Sequence, residues 1–147
     1  MAITTGAALF EFGTQATVIV DAATASGAFS AAADATTLTQ TDYCPLGDAV
    51  LDITFTSAPT AGDAVHLYRR DLNIDSTNDA VEPDASYKNL LVGSFLLDPS
   101  ATRQYHSLTD IPLTIEQDFY IELDTASVAT ATNSTTVKVT PKTYNVK

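Results

Sequence analysis

The chain has 147 residues, of which 45% are hydrophobic, so it is long enough to bury one sizeable core, and we expect a single domain over residues 1–147. Its 18 Asp and Glu residues outnumber 7 Lys and Arg residues, which gives a formal net charge of −11, and no basic residue precedes Arg69. Such a surface repels nucleic-acid phosphates and anionic lipid head groups, which excludes nucleic acid and membranes as expected partners.

Three further features point to cytoplasm-like conditions. The single cysteine, Cys44, cannot form an intrachain disulfide and is interpreted as a small buried hydrophobe. Residues 1–13 lack the basic start of a signal peptide, and no stretch approaches the ~20 apolar residues of a membrane-spanning helix. We therefore expect the chain to be made in, and to remain in, such a compartment.

The first 14 residues are small, polar and interrupted by glycine, and we interpret them as an N-terminal arm. Leu9, Phe10 and Phe12 are the large apolar residues of this arm and its candidate interface residues. The first clear strand follows at 16–21, whereas residues 27–33 fit either a strand or a short helix.

Alternation of apolar and polar residues predicts strands through the rest of the chain. In 48–56, Ala49, Leu51 and Ile53 share one face, as expected for an antiparallel strand with one face on the core. The spacing of 48–56 and 64–70 predicts a hairpin. The other predicted strands are 36–43, 90–97, 108–115, 118–124 and 135–144.

Glycine and proline positions refine the expected place of three strands. The 90–97 segment has large apolar residues on both faces, which predicts a central strand or one that bends at Gly93. Pro112 suits an edge strand, and Pro141 places the end of the last strand at an edge. Seven to nine short strands predict an all-β fold, an antiparallel two-sheet sandwich of jelly-roll type.

The loop after the 64–70 strand carries oxygen-bearing side chains at the spacing of a calcium-binding EF-hand loop. Ser76 stands where that loop needs glycine, and the flanking segments are predicted strands, whereas an EF-hand needs helices. A turn in which Asn and Asp side chains bond to their own backbone is therefore favoured over a metal site. The candidate ligands are Asp71, Asn73, Asp75, Thr77, Asp79 and Glu82.

No pattern predicts catalysis. The sequence contains no GxSxG, GxxxxGK[ST], GxGxxG or CxxC motif, and His66 and His106 are not spaced for metal binding. The expected role is therefore not enzymatic, with no catalytic residues and no cofactor. Arg69 and Arg70 are interpreted as structural ion-pair residues that find partners in the acidic loop.

Four segments resemble small virion structural proteins of tailed bacteriophages: LYRRDLNIDSTNDAVEPDASYKNLLVGSFLLD, QYHSLTDIPL, DFYIELD and VKVTPKTY. The likeness covers about half of the chain and is strongest over residues 67–98. It implies a β-sandwich decoration or cement protein, made in the host cytoplasm and carried on the capsid surface. The implied partners are the major capsid protein and further copies of the chain, with a homotrimer favoured.

A carbohydrate-binding or tail-associated β-sandwich of the virion is the alternative. A carbohydrate site of this kind needs exposed aromatic rings on one sheet face or a loop organised by calcium. Tyr68, Tyr87 and Tyr120 are the candidates for such an aromatic platform.

Overall fold

A computed structural model describes residues 10–42, 44–72, 79–88, 90–125, 131 and 135–144, except for the side chain of Asp21. Within these residues the chain forms nine strands and one 3₁₀ turn, Ala32–Asp34. No helix in the described part of the chain is long and apolar enough to cross a membrane. The strands are β1 (Phe10–Phe12), β2 (Ala16–Ala22), β3 (Leu38–Thr39), β4 (Leu46–Ile53), β5 (Ala64–Asp71), β6 (Leu91–Leu96), β7 (Gln104–Pro112), β8 (Glu116–Asp124) and β9 (Thr135–Tyr144).

The strands form two antiparallel sheets with jelly-roll connections. The first sheet has the order β1-β9-β4-β7, with β2 also paired to β9, and the second has the order β3-β8-β5-β6. Four antiparallel pairs nest in chain order: β2 with β9, β3 with β8, β4 with β7 and β5 with β6. This is the path of one long hairpin wrapped around a barrel, and it confirms the predicted all-β, jelly-roll sandwich.

Alternation along the strands builds the core between the sheets. In β4, Ala49, Leu51 and Ile53 are fully buried, while the residues between them are half-buried, as their spacing predicts. Phe95 of β6 and Phe119 of β8 are among the largest fully buried side chains. Burial of these apolar side chains, at about 25 cal/mol per Å² removed from water, is the main force that holds the two sheets together.

The predicted hairpin between residues 48–56 and 64–70 is wrong. β4 pairs with β7 and β9, whereas β5 pairs with β6 and β8 in the other sheet. The intervening turn therefore carries the chain from one sheet to the other. Both strands have the same alternating pattern in a hairpin and in a sandwich, since each buries one face in either arrangement.

The strand 90–97 was expected to be central or to bend at Gly93, and β6 instead lies at the edge of the second sheet. The register between β5 and β6 shifts next to Gly93, which fits the alternative of an irregular strand. The side chain of Leu108 from β7 lies over this glycine, and a Cβ atom there would be 2.6 Å from Leu108 Cδ1. A side chain at this position would therefore force the end of the Leu108 side chain to move.

Pro112 ends β7, and β7 is an edge strand as predicted. Pro141 does not mark an edge, because β9 lies between β4 and the strands β1 and β2. The carbonyl of Pro141 accepts a bond of 2.7 Å from Gly13 N, so its ring nitrogen also faces the link between β1 and β2. The missing donor thus falls where regular pairing on that side is already interrupted.

Candidate interaction surface at the β1–β9 ribbon

The first and last described strands together carry two exposed aromatic side chains, those of Phe12 and Tyr144. β1 pairs with the end of β9 so that Phe10 lies opposite Tyr144 and Phe12 lies opposite Lys142. We call residues 10–12 and 142–144 the β1–β9 ribbon. Residues 10–12 of the predicted arm are therefore a strand, while Leu9 lies outside the described residues.

The aromatic side chains of the ribbon are in contact with one another and are open to solvent. The rings of Phe10 and Tyr144 are 4.7 Å apart between centroids, and those of Phe10 and Phe12 are 6.4 Å apart. Phe12 is 63% exposed and Tyr144 is 49% exposed. Clustered aromatic side chains with this exposure are typical of a contact surface for another macromolecule.

Lys142 packs against Phe10 of this aromatic cluster and forms ion pairs with two carboxylates. Its ammonium group lies 5.5 Å from the centroid of Phe10 and contacts Asp48 Oδ1 at 2.5 Å and Asp110 Oδ1 at 2.8 Å. The lysine is almost completely buried, so two carboxylates and a ring face replace much of the water around its charge. Asp110 has a positive φ of 58°, an uncommon conformation for a residue with a side chain.

The opposite side of the ribbon faces a groove. Two adjoining cavities of 330 Å³ and 260 Å³ share Gly13, Asp42 and Cys44 in their walls. Glu11, Phe12 and Thr143 complete the walls of the smaller cavity. The walls of the larger cavity are completed by Thr14, Leu38, Thr39, Gln40, Thr41 and Pro141.

A buried amide side chain holds the loop that forms one wall of the groove. Gln40 Oε1 accepts a bond of 2.9 Å from Cys44 N, and its Nε2 donates to Cys44 O at 3.1 Å and to Thr114 O at 2.6 Å. Three bonds from the Gln40 side chain join residue 40 to Cys44 and attach both to Thr114, in the link between β7 and β8. The groove is therefore preformed.

Two carboxylates, those of Asp42 and Glu11, line the groove. Burial raises the pKa of the Cys44 thiol, and the nearby carboxylates of Asp42 and Glu11 raise it further. A thiol of this kind stays protonated at neutral pH, in agreement with the interpretation of Cys44 as a packing residue. The same two carboxylates favour a cation in the groove.

Of the three candidate calcium ligands that the structure describes, Asp71 and Glu82 pair with arginine side chains, whereas Asp79 Oδ1 is buried with no hydrogen-bond partner there. Arg69 Nη2 donates to Asp71 Oδ2 at 3.3 Å, and Arg70 Nη1 donates to Glu82 Oε1 at 3.2 Å, which confirms the predicted arginine ion pairs. Among the described residues no cluster of three or more His, Cys, Asp or Glu residues could hold a metal ion. Asn73, Asp75 and Thr77 lie outside the described residues.

The proposed tyrosine platform is not formed. Tyr68 and Tyr120 are only 3% and 2% exposed, and Tyr87 alone of the three is open to solvent. Phe29 packs on Tyr68 with 5.2 Å between ring centroids. Residues 27–33 fitted either a strand or a short helix. At Phe29 the chain is extended and forms a single β-bridge with Glu122 of β8.

The outer face of the second sheet carries a network of polar side chains. Tyr68 donates to the buried Glu122 at 2.8 Å, and Lys88 covers the same carboxylate. His66 contacts Ser94 through Nδ1 at 2.8 Å and Asp124 through Nε2 at 3.3 Å. These contacts link β5 to β6 and β8, and the ring nitrogens face the reverse way from a Ser-His-Asp triad, in which Nε2 faces the serine.

Sequence patterns identified Phe10 and Phe12 but missed Tyr144, Glu11 and Asp42. These residues meet only because the first and last strands pair, and no local pattern encodes that pairing. Comparison with protein-family models, with curated proteins and with solved structures found no match to this chain.

Proposed function

We propose that this chain is a structural protein of a tailed-phage virion, a decoration or cement protein that binds the outer surface of the capsid. In this role it stabilises the head by bridging neighbouring subunits of the major capsid protein. The observation that carries the proposal is the exposed aromatic cluster of the β1–β9 ribbon, which stands on a rigid jelly roll. The resemblance of residues 67–98 to small phage virion proteins is the reason for proposing a phage particle.

The fold supports this proposal by analogy. Jelly rolls occur in viral capsid proteins, in lectins and in other proteins, so the fold by itself favours a binding or assembly role without choosing among them. Burial of Tyr68 and Tyr120 leaves the carbohydrate-binding alternative without an aromatic platform, one of the two features that could support it. A tail-associated role remains the other outcome of the experiment below.

We further propose that the chain acts as a homotrimer at positions of three-fold symmetry on the capsid. A symmetric oligomer that contacts several subunits at once gains avidity through effective concentration, so each contact can be modest. The net charge of −11 is compatible with a place on the outside of a shell that holds DNA within.

The test compares phage heads made with and without the protein. We expect heads that carry it to rupture at a higher temperature, and gold-labelled protein to map to the capsid surface in electron micrographs. Unchanged rupture together with label on the tail would replace decoration by the tail-associated role. Absence of the label from all particles would reject a virion role altogether.

A further inference from the structure

Among the described residues, no strand pairs with the outer edge of β1. In the part of the chain that the structure describes, β1 pairs only with β9. Gly13 N points towards β9, where it donates to Pro141 O, and backbone groups of successive residues in a strand point in opposite directions. The amide and carbonyl of Phe12 therefore point away from β9, towards a strand that could be added at this edge.

The two faces of the ribbon differ in chemistry. Phe10, Phe12 and Tyr144 lie on one face, and Glu11 with Thr143 lies on the other, where Asp42 completes the wall of the groove. No Lys or Arg occurs among the residues that line either cavity. A strand added here would place alternate side chains over the aromatic rings and beside the carboxylates.

We propose that the β1 edge and the adjoining groove bind an extended segment of the major capsid protein in which apolar and basic residues alternate. This inference rests on the proposed function and names the surface by which the protein holds the capsid. Backbone bonds to Phe12 supply affinity that does not depend on sequence, and the two faces select the side chains. The apolar residues cover the rings of Phe10, Phe12 and Tyr144, and the basic residues face Glu11 and Asp42.

Charge complementarity selects this occupant over a second copy of the chain. The chain carries 18 acidic residues against 7 basic ones, so most of the surface of another copy would repel the groove. Two neighbouring carboxylates in a partly closed groove attract Lys or Arg more strongly than the same groups on an open surface, because less water screens them.

Head-binding measurements with matched variants test the proposal. Phe12→Thr keeps a β-forming residue but removes the exposed ring, and Asp42→Asn removes a charge; together they should weaken binding about thirtyfold. Tyr105→Thr is the control, because Tyr105 is 61% exposed on β7, at the other edge of the same sheet. The control should bind heads within about twofold of the unchanged protein.

A proline substitution tests the open edge separately. In Phe12→Pro the lost amide points away from β9, so the β1–β9 ladder remains while the bond to an added strand is lost. This variant should lose head binding but keep the circular dichroism spectrum and melting temperature of the unchanged protein within a few degrees. If the Phe12→Pro variant unfolds, the head binding of the variant with Phe12→Thr and Asp42→Asn decides whether the proposal holds.

Carbodiimide crosslinking identifies the occupant, because it joins carboxylates to lysine amines in direct contact. On heads, we expect crosslinks from Glu11 or Asp42 to lysines of the major capsid protein. Crosslinks to lysines of a second copy would replace the proposal by self-association. If the unchanged protein binds heads and the variants bind equally well, this inference fails alone; if the unchanged protein does not bind, the proposed function fails as well.

Discussion

Gly93 shows how closely the two sheets approach at the β6–β7 edge of the sandwich. A Cβ atom at this position would lie 2.6 Å from Leu108 Cδ1 and 3.3 Å from Leu108 Cδ2. Gly93→Ala should therefore lower the free energy of unfolding by about 1 kcal/mol, because the Leu108 side chain must move from its present rotamer to make room. Urea denaturation measures the change.

The companion substitution Leu108→Ala tests the cause of that loss. In its background the added methyl group enters space that the leucine has left, so Gly93→Ala should cost little or become stabilising. An equal cost in both backgrounds would show that the loss comes from the backbone of β6 and not from contact with Leu108.

Asp52 provides a prediction about pH. Hydrogen bonds from Arg103 Nε at 2.8 Å and Nη2 at 2.5 Å lower the pKa of this carboxyl group, against a smaller opposing effect of burial. Because the pKa is lower in the folded state, the stabilisation is complete above the unfolded pKa of about 3.9 and is lost as the pH falls through the folded value.

The variant Asp52→Asn should therefore be less stable than the unchanged protein at pH 7, and the two should converge as the pH falls below about 4. The pair is partly exposed, so we expect the difference to be small and to shrink in high salt. Melting temperatures over a pH series measure it, and a difference that stays constant from pH 7 to pH 2 would contradict an ionic origin.

At the scale of elements, local alternation predicted strands but not their partners. The 48–56 segment was correctly predicted to contain a strand, because Ala49, Leu51 and Ile53 alternate with polar residues and form its buried face. The partner of that strand depends on closing a long chain segment, which local spacing does not report. The short connection between the two segments favoured a hairpin with 64–70. In the jelly roll, β4 pairs instead with β7 and β9.

The candidate surface was predictable only in part for the same reason. Phe10 and Phe12 are conspicuous as large aromatic residues in a small, polar segment. Their contact with Tyr144 and the groove beneath them depend on pairing between the two ends of the chain. Pro141 was misleading because its missing donor faces the break between β1 and β2, a place that the sequence does not mark.

Sheet position predicts an order of amide hydrogen exchange among the strands. Amides of β4, β5, β8 and β9 should exchange most slowly, because each of these strands has a partner on both sides. The amides of β6 should exchange faster. This rate would distinguish its edge position from the central position that its apolar residues suggest. Mass spectrometry of deuterated peptides gives this order, and a β6 as slow as β5 would contradict it.

The loop after β5 should bind calcium weakly or not at all. Asp71 and Glu82, which would be ligands, are engaged by Arg69 and Arg70, and a calcium ion would have to displace these guanidinium groups. Calorimetric titration with calcium is the measurement. Micromolar binding that disappears in Asp79→Ala would overturn this expectation and make the ion a structural cofactor.

At the scale of the whole molecule, the two proposed associations should respond to salt in opposite directions. Three copies at −11 each bring a charge of −33 together, so assembly of the free trimer works against repulsion. Raising the salt concentration from about 0.1 M to about 1 M shortens the Debye length from about 10 Å to about 3 Å and screens that repulsion. We therefore expect the trimer to become more stable as the salt concentration rises, as measured by sedimentation equilibrium.

Binding to phage heads should weaken over the same range of salt concentration, because salt also screens the attraction between basic capsid residues and the groove. Head binding that strengthens with salt would show that apolar contact alone holds the protein on the capsid, and a free trimer that dissociates as salt rises would mean that its subunits meet through ion pairs.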